Sequence, residues 1–440
     1  MIAHTPRLGK VVAAGLGGLL LVLVLGLPWA AARVSASPSS PQESPPPLPP
    51  HQLPINAKSA VLMDAHTGQV LVAYRETLRL PPASFAKLLT LYLVFDTLRH
   101  GKLRLDDEIY VSKKAWRTGG SRMFIEVGSK VPLRELIKGI AVVSGNDACV
   151  AVAEHLYGST ELFAQAMNTL AASIGMRHSH FTNPHGLPDE NQYTTALDMA
   201  LLARSYLANF PEALQFHSMQ EYTYAGIRQH NRNGLLRKDP SVDGLKTGYI
   251  AEAGYHLLAT AKRDGWRLIA VVMGAESPSI RETEALKLLN YGYRHFVRLM
   301  PLRAGEPLAT LPVWKGKRGQ VQVVAGHDAP VVVPREDSPQ VRKILVLPTE
   351  VTAPLRQGQP LGHAEIRLGT ALLHTVPLQA AEVVPRAGLP TVLAHHLYLL
   401  GRDHTTLLLL LSGSMLPLVA LFALLSMRGR RRRRSTRFTL

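Results

Sequence analysis

Residues 254–275 read GYHLLATAKRDGWRLIAVVMGA, and their apolar residues run in two blocks separated by Arg263-Asp264-Gly265. Two runs of strand length around a charged Asp-Gly turn predict a β-hairpin. Upstream, from Ser84 to about Phe210, the spacing is different. LRELIKGIAVVSG, ACVAVAEHLYG and TALDMALLARSYLANF repeat their apolar residues every three or four positions, the period of helices. Further back, SAVLMDAHTGQVLVAYR again reads as two strands around His66-Thr67-Gly68-Gln69. Strands, then helices, then strands predict one α/β (α+β) domain over 55–298, a sheet whose ends meet with a helical region inserted between them. RETEALKLLNYGYRHF closes it as a helix.

Around this domain the composition changes. Residues 299–386 hold short β-rich runs (VQVVAG, APVVVP, KILVLP, AEIRLG, ALLHTVPL) between Gly, Pro and charge, which predicts a small all-β domain. Residues 37–54, SPSSPQESPPPLPPHQLP, read as an extended spacer. Before them, Arg7 and Lys10 precede an apolar run to about Leu27 and then PWAAARVSAS, so 1–36 reads as a signal peptide cut after Ala32 or Ala36, with an uncleaved anchor as the competing reading. At the other end 387–404 lead into TTLLLLLSGSMLPLVALFALLSM, 405–427, long enough to cross a bilayer as a single transmembrane helix. The basic tail RGRRRRRSTRFTL, 428–440, then sits in the cytosol and the body of the chain on the extracytoplasmic side of the cell membrane.

That topology also explains the charge. The 440 residues carry 49 Lys and Arg against 32 Asp and Glu, net +17. Seven arginines lie in 428–440 and Arg7, Lys10 and Arg33 in 1–36, with no acid in either segment. Ten of the 17 excess charges belong to the membrane-flanking ends and +7 to everything between, and no nucleic-acid partner is expected. The single cysteine, Cys149, excludes an intramolecular disulfide and a Cys-rich metal site, and its apolar setting reads as a buried thiol. His178, His180, His185, His395 and His396 have no partner acid at ligand spacing, so no metal and no cofactor are expected. His185 in NPHG reads as a turn residue; Asp147 and Asp243 read as caps or loop anchors.

Chemistry enters at PPASFAKLLTLYLVFD, 81–96, where Ser84 precedes Lys87 by three residues at the head of an apolar helix. One turn apart, the two side chains share a face. A lysine can take a serine's proton only when neutral, which requires burial or a nearby cation. Alone the spacing is weak, since about one or two chance S-x-x-K matches are expected in such a chain, and a cap serine with a solvated lysine explains it better. Two further elements change this. Ser144-Gly145-Asn146 ends an apolar helical run, and Lys246-Thr247-Gly248 opens a late strand in VDGLKTGY. There a glycine permits close backbone approach, while Lys and Thr suit a carboxylate. S-x-x-K, S-x-N and K-T-G in this order are the signature of acyl-serine enzymes that handle penicillin.

From about Ala57 to Val384 the chain resembles the low-molecular-mass penicillin-binding proteins, serine D-alanyl-D-alanine carboxypeptidases of bacterial cell walls. PPASFAKLLT, VVSGNDACVAVAEH, HFTNPHGLPD, YTTALDMALLAR, HNRNGLL and VDGLKTGY carry the resemblance, and APLRQGQPLGHAEI and VPLQAAEVV resemble the family's β-domain ending. Ala86 departs from it, where the family usually has Thr before the lysine. The resemblance implies the penicillin-binding/β-lactamase-like transpeptidase fold with an antiparallel sheet. It implies Ser84 as acyl nucleophile on the stem peptide of peptidoglycan, Lys87 as general base, Ser144 as proton donor to the leaving D-alanine and Asn146 on the substrate amide. Lys246 would keep the cleft positive and help hold Lys87 neutral, and Thr247 would engage the terminal carboxylate. Gly248 completes the K-T-G element, and the N–H groups of Ser84 and Tyr249 would form the oxyanion hole. Arg281 matches a family arginine near the carboxylate; a surface arginine opening its helix is the competing reading. β-Lactam antibiotics would be covalent inhibitors. A DD-endopeptidase or weak β-lactamase would use the same residues, and a catalytically weak wall-binding scaffold is the alternative of another class.

Overall fold

The computed structural model describes residues 53–390, 392–394, 421 and 424. The expected signal peptide lies outside the described residues, as does the expected anchor apart from Leu421 and Leu424. Among the described residues no helix is long and apolar enough to cross a membrane.

Strands β1 (Ser59–Asp64) and β2 (Val70–Tyr74) form the first hairpin; β3 (Val242–Ile250), β4 (Gly254–Arg263) and β5 (Trp266–Ala275) follow the helical region. They make one antiparallel sheet in the order β2-β1-β5-β4-β3. β1 lies against β5, with Val61 opposite Val271, so the two ends of the domain meet in the middle of the sheet.

Both faces of this sheet are covered, and the period-2 alternation of each strand sorts its side chains between them. Val61, Met63, Ile269, Val271 and Met273 join the core on the helical side, while Ala60, Leu62, Leu268, Ala270 and Val272 join the core behind. The front core is built around α1 (Ala86–Arg99), whose residues Ala86 to Phe95 are all buried. A helix apolar on every side belongs inside a protein, and this one is packed among α2 (Leu133–Ala141), α3 (Asn146–Tyr157), α4 (Thr160–Ser173) and α5 (Ala196–Asn209). The back is covered by α6 (Pro278–His295) through Ala285, Leu288 and Leu289. Gly292 lets α6 sit down on the sheet, because a methyl there would come within 2.6 Å of Leu268 and 2.8 Å of Leu62. Helix starts follow from local chemistry: Ser159, Thr195 and Ser277 each accept a backbone N–H from the residue three further on.

Residues Phe296–Leu299 leave α6 as a strand paired with Val331–Pro334, and Phe296 and Val332 join the back core. Beyond them six strands form a second sheet with its own core of Leu311, Val323, Ile366, Val376 and Leu378. The antiparallel sheet, the inserted helices and the C-terminal all-β region agree with the sequence expectation. A hairpin over Glu221–Tyr224 and Ile227–His230 was not expected; it interrupts the return from helices to sheet.

Candidate active site

The site forms where the head of α1 meets β3 and the start of α3. Ser84 lies in a single 3₁₀ turn, Ala83–Phe85, that runs directly into α1. Lys87, fully buried in the first turn of α1, donates from Nζ to Ser84 Oγ at 2.9 Å. A second bond, at 2.5 Å, goes to the carbonyl of His185. Thr90, one turn on, donates to Pro184 O at 2.6 Å, so α1 pins the loop that brings His185 across the nucleophile turn. Gly186 has φ +84°, and a Cβ there would fall 1.7 Å from Ala83 O. Only glycine allows the loop to pass the serine this closely.

Burial pushes the Lys87 ammonium down to about 8, and the Arg232 guanidinium pushes the same way. His185 is held down to about 3, by burial first and then by Lys87 and Lys114. It is therefore neutral, and its Nδ1 accepts the Leu187 N–H at 3.2 Å, the turn role expected of it. The Cys149 thiol is pushed up to about 12 by burial, which leaves it inert as a nucleophile.

The second element sits between α2 and α3. Ser144 has φ +63°, a conformation costly for a residue with a Cβ, and Ala83 beside the nucleophile has φ +47°. Ser144 Oγ accepts from Lys246 Nζ at 3.0 Å, and Lys246 Nζ also donates to Thr247 O at 3.0 Å. Burial pushes Lys246 well below its ordinary range, with Lys87 and Arg232 adding to it. Asn146 donates from Nδ2 to Gly119 O at 2.7 Å, and its backbone N–H goes to Ser121 O at 2.7 Å. Asp147 accepts the N–H groups of Met123 at 3.0 Å and Phe124 at 2.9 Å, a loop anchor that folds 119–125 over the start of α3. Asp243 pairs through both oxygens with Arg267, at 2.6 and 2.7 Å, away from the cleft.

β3 supplies the third wall. Gly248 passes the nucleophile turn so closely that a Cβ would lie 3.3 Å from Ala83 Cβ and 3.4 Å from Ser84 N. Arg281 does not open α6, which starts at Pro278 under a Ser277 cap, and it is not a surface residue. It is buried, donating to Gly248 O and His256 O at 3.4 Å and to Arg232 O at 3.1 Å, with Nε left without a partner among the described residues.

Ser84, Ser144, Asn146, Thr247, Gly248, Tyr249 and Arg281 line one cleft of roughly 380 Å³, with Lys87 and Lys246 immediately behind the two serines. Among the described residues no Asp or Glu lines it. Its permanent charge is that of Arg232 and Arg281, since a guanidinium keeps its proton. Arg232 acts on Lys87 in the sense expected of Lys246. Three contributors escaped the sequence reading. Arg232 and Ser121 face each other, Nη1 donating to Oγ at 2.6 Å. His256 on β4 accepts the Gly274 N–H on Nδ1 at 2.9 Å, which leaves the proton on Nε2 to donate to Pro81 O at 3.1 Å. Ala86 is fully buried and lines no part of the cleft, so the departure from the family pattern lies in the core.

Residues 46–277 match the family described as D-alanyl-D-alanine carboxypeptidase, and residues 298–386 match the C-terminal domain of penicillin-binding protein 5. D-alanyl-D-alanine carboxypeptidase DacA of Escherichia coli (strain K12) is 36% identical over 339 residues, 75% of this chain and 84% of the relative. The crystal structure of penicillin-binding protein 5 from Haemophilus influenzae superposes with a TM-score of 0.70 at 35% identity, covering 77% of this chain and 99% of the other. Penicillin-binding protein D2 from Listeria monocytogenes, in its ampicillin-bound form, has a TM-score of 0.51 at 28% identity over 55% of this chain and 100% of its own. With half the chain inside the family match and a relative of this identity and coverage, the chain belongs to the D-alanyl-D-alanine carboxypeptidase family.

Proposed function

We propose that the chain removes the terminal D-alanine from peptidoglycan stem pentapeptides through an acyl-serine intermediate. The observation that carries this is the fully buried Lys87 amine, its pKa lowered to about 8, hydrogen-bonded to Ser84 Oγ at 2.9 Å. Neutral Lys87 takes the Ser84 proton as Oγ attacks the carbonyl between the two D-alanines. The oxygen's charge falls on the N–H groups of Ser84 and Tyr249, where one lost donor costs about a hundredfold or more. Thr247 and Arg281 hold the terminal carboxylate, and Asn146 the peptide amide. The C–N bond breaks as Ser144, held by Lys246, passes its proton to the leaving amine, and the proton that Lys87 took from Ser84 replaces it on Ser144. Water then cleaves the ester, and Ser84 regains its hydrogen. A β-lactam enters the same first step and stays attached.

Labelling with a fluorescent penicillin tests this, wild type against Ser84→Ala. The wild type is expected to take the label and to release D-alanine from a pentapeptide; the variant should do neither. A wild type that does neither sinks the reading.

The same reading holds the catalytic domain outside the cytoplasmic membrane by 405–427. The apolar run and the arginines behind it support this. The full chain should stay with membranes in high salt and a chain stopped at His404 should not.

A further inference from the structure

Beyond Thr247 the cleft meets the ring of Tyr249, which is backed by Tyr255, a residue packed against the core behind the sheet. Tyr249 on β3 stands opposite Tyr255 on β4, and their rings stack at 4.2 Å between centroids and 25° between planes. Arg281 lies against Tyr255, its guanidinium 5.7 Å from that ring while it donates to Gly248 O. Tyr249 lines the cleft and is 52% exposed, so one side of its ring faces the space that a substrate enters. Residues two apart on a strand project from the same face. The Tyr249 ring therefore stands on the face that presents Thr247. In the reading above, Thr247 and Arg281 hold the carboxylate of the residue that leaves, which puts the ring pair beside the leaving group.

We propose that the Tyr249–Tyr255 stack is a specificity wall for the leaving group. It admits a single terminal amino acid and excludes a leaving amine that carries a further peptide, as in a cross-linked stem dimer. This rests on the carboxypeptidase reading and deepens it, because the same catalytic residues would serve endopeptidase cleavage if the wall were absent. Two features make the wall stiff. Each ring has few rotamers, and a stacked aromatic pair resists separation beyond its area of contact. Arg281 cannot move aside for a bulky group without giving up its bonds to Gly248 and His256. A terminal D-alanine presents one methyl and one carboxylate at this end. The leaving residue of a cross-link presents a long side chain that continues into a second stem, and that chain meets the rings.

The experiment uses the full chain and two defined substrates, a stem pentapeptide and a cross-linked stem dimer, with kcat/KM measured for each. The wild type should strongly favour the pentapeptide. Tyr249→Ala should raise the dimer-to-pentapeptide ratio by about tenfold or more, the scale on which steric exclusion in a pocket acts. Tyr249→Phe keeps the stacked ring and should keep the wild-type ratio. A ratio for Tyr249→Ala within about twofold of wild type overturns the proposal, and so does a Tyr249→Phe shift as large as that of Tyr249→Ala. A general loss of folding or of Ser84 reactivity would lower both rates together and leave the ratio unmoved, which counts against the wall. Failure of the carboxypeptidase reading shows separately, as no D-alanine released by the wild type, and the proposal falls with it.

Discussion

The cleft contains two serine–lysine pairs of similar length, built in opposite ways. Ser84 and Lys87 are three residues apart and meet at 2.9 Å within one turn. Ser144 and Lys246 meet at 3.0 Å across 102 residues. The 3₁₀ turn and the first turn of α1 bring the first pair together locally. The second pair exists only when β3 closes against the helical insert, and it holds Ser144 in a backbone conformation that isolated chain would leave. Both lysines are buried, yet Lys87 carries a second bond to the His185 carbonyl and Lys246 one to Thr247. In the mechanism proposed above, the difference separates two duties. The nucleophile and its base sit at a fixed distance that a local turn supplies, and the group that serves the leaving amine is brought in from another part of the domain.

The sharpest way to break this contrast is at the local pair. Lys87→Gln keeps a hydrogen-bonding side chain but removes the base, and acylation by penicillin should fall by about a hundredfold to ten-thousandfold in stopped-time labelling. The pH profile sharpens the same point. Because burial lowers Lys87 to about 8, the working neutral form grows as pH rises. kcat/KM should therefore climb about tenfold per pH unit below 8 and flatten above it, whereas an ordinary lysine would still be climbing at about pH 10. A flat profile between about pH 6 and 8 would remove Lys87 from the role of base.

The long-range pair should respond less. Ser144→Ala leaves the buried Lys246 amine without one of its two acceptors but does not touch Ser84 or Lys87. Turnover of the pentapeptide should fall by about tenfold to a hundredfold, the scale of one charge-assisted hydrogen bond made as the leaving amine takes its proton. Labelling by penicillin should fall less than turnover, since a β-lactam's leaving nitrogen stays tethered to the acyl group. Equal losses in the two assays would mean that Ser144 helps the attack itself.

This contrast also explains what could be read from the sequence. Ser84 and Lys87 were legible as a pair because helix spacing converts three residues into a shared face. Ser144, Asn146, Lys246 and Thr247 were legible as chemical types in a known order, but nothing in their spacing predicts a 3.0 Å contact between two of them. Arg281 could be read as a surface residue or as part of the cleft, and burial settles that. Arg232 and Ser121 left no signal, since their contact joins positions 111 residues apart. The sheet followed from its short apolar runs around turn residues, which are continuous because both faces of the sheet are covered. The hairpin at 221–230 did not, because each strand is only four residues long and the alternation is confined to Tyr222 and Tyr224, which face the helical core, while Ile227–His230 is largely exposed and polar.

The smallest expected effect tests how far the local pair is truly local. His256 reaches it from β4, donating to Pro81 O three residues before Ser84 and accepting from Gly274. His256→Asn places an amide oxygen about where Nδ1 stood, so the bond from Gly274 can persist, but the side chain is too short to reach Pro81. Losing one neutral hydrogen bond is worth about 0.5–1.5 kcal/mol, so acylation should slow by about two- to tenfold with little change in fold. The same residue gives an acid signature. Burial holds His256 down to about 4, and His217 likewise, so the folded protein keeps both rings neutral while the unfolded chain takes up protons below about 6.5. With the folded pKa depressed, stability is complete above about 6.5 and is lost as pH falls toward 4. His256→Asn removes one of these two titrations, and its melting temperature should fall less steeply between about pH 6.5 and 4 than that of the wild type. A variant that acylates at the wild-type rate would show that the 3₁₀ turn and α1 hold Ser84 unaided, the strongest form of the contrast between the two pairs.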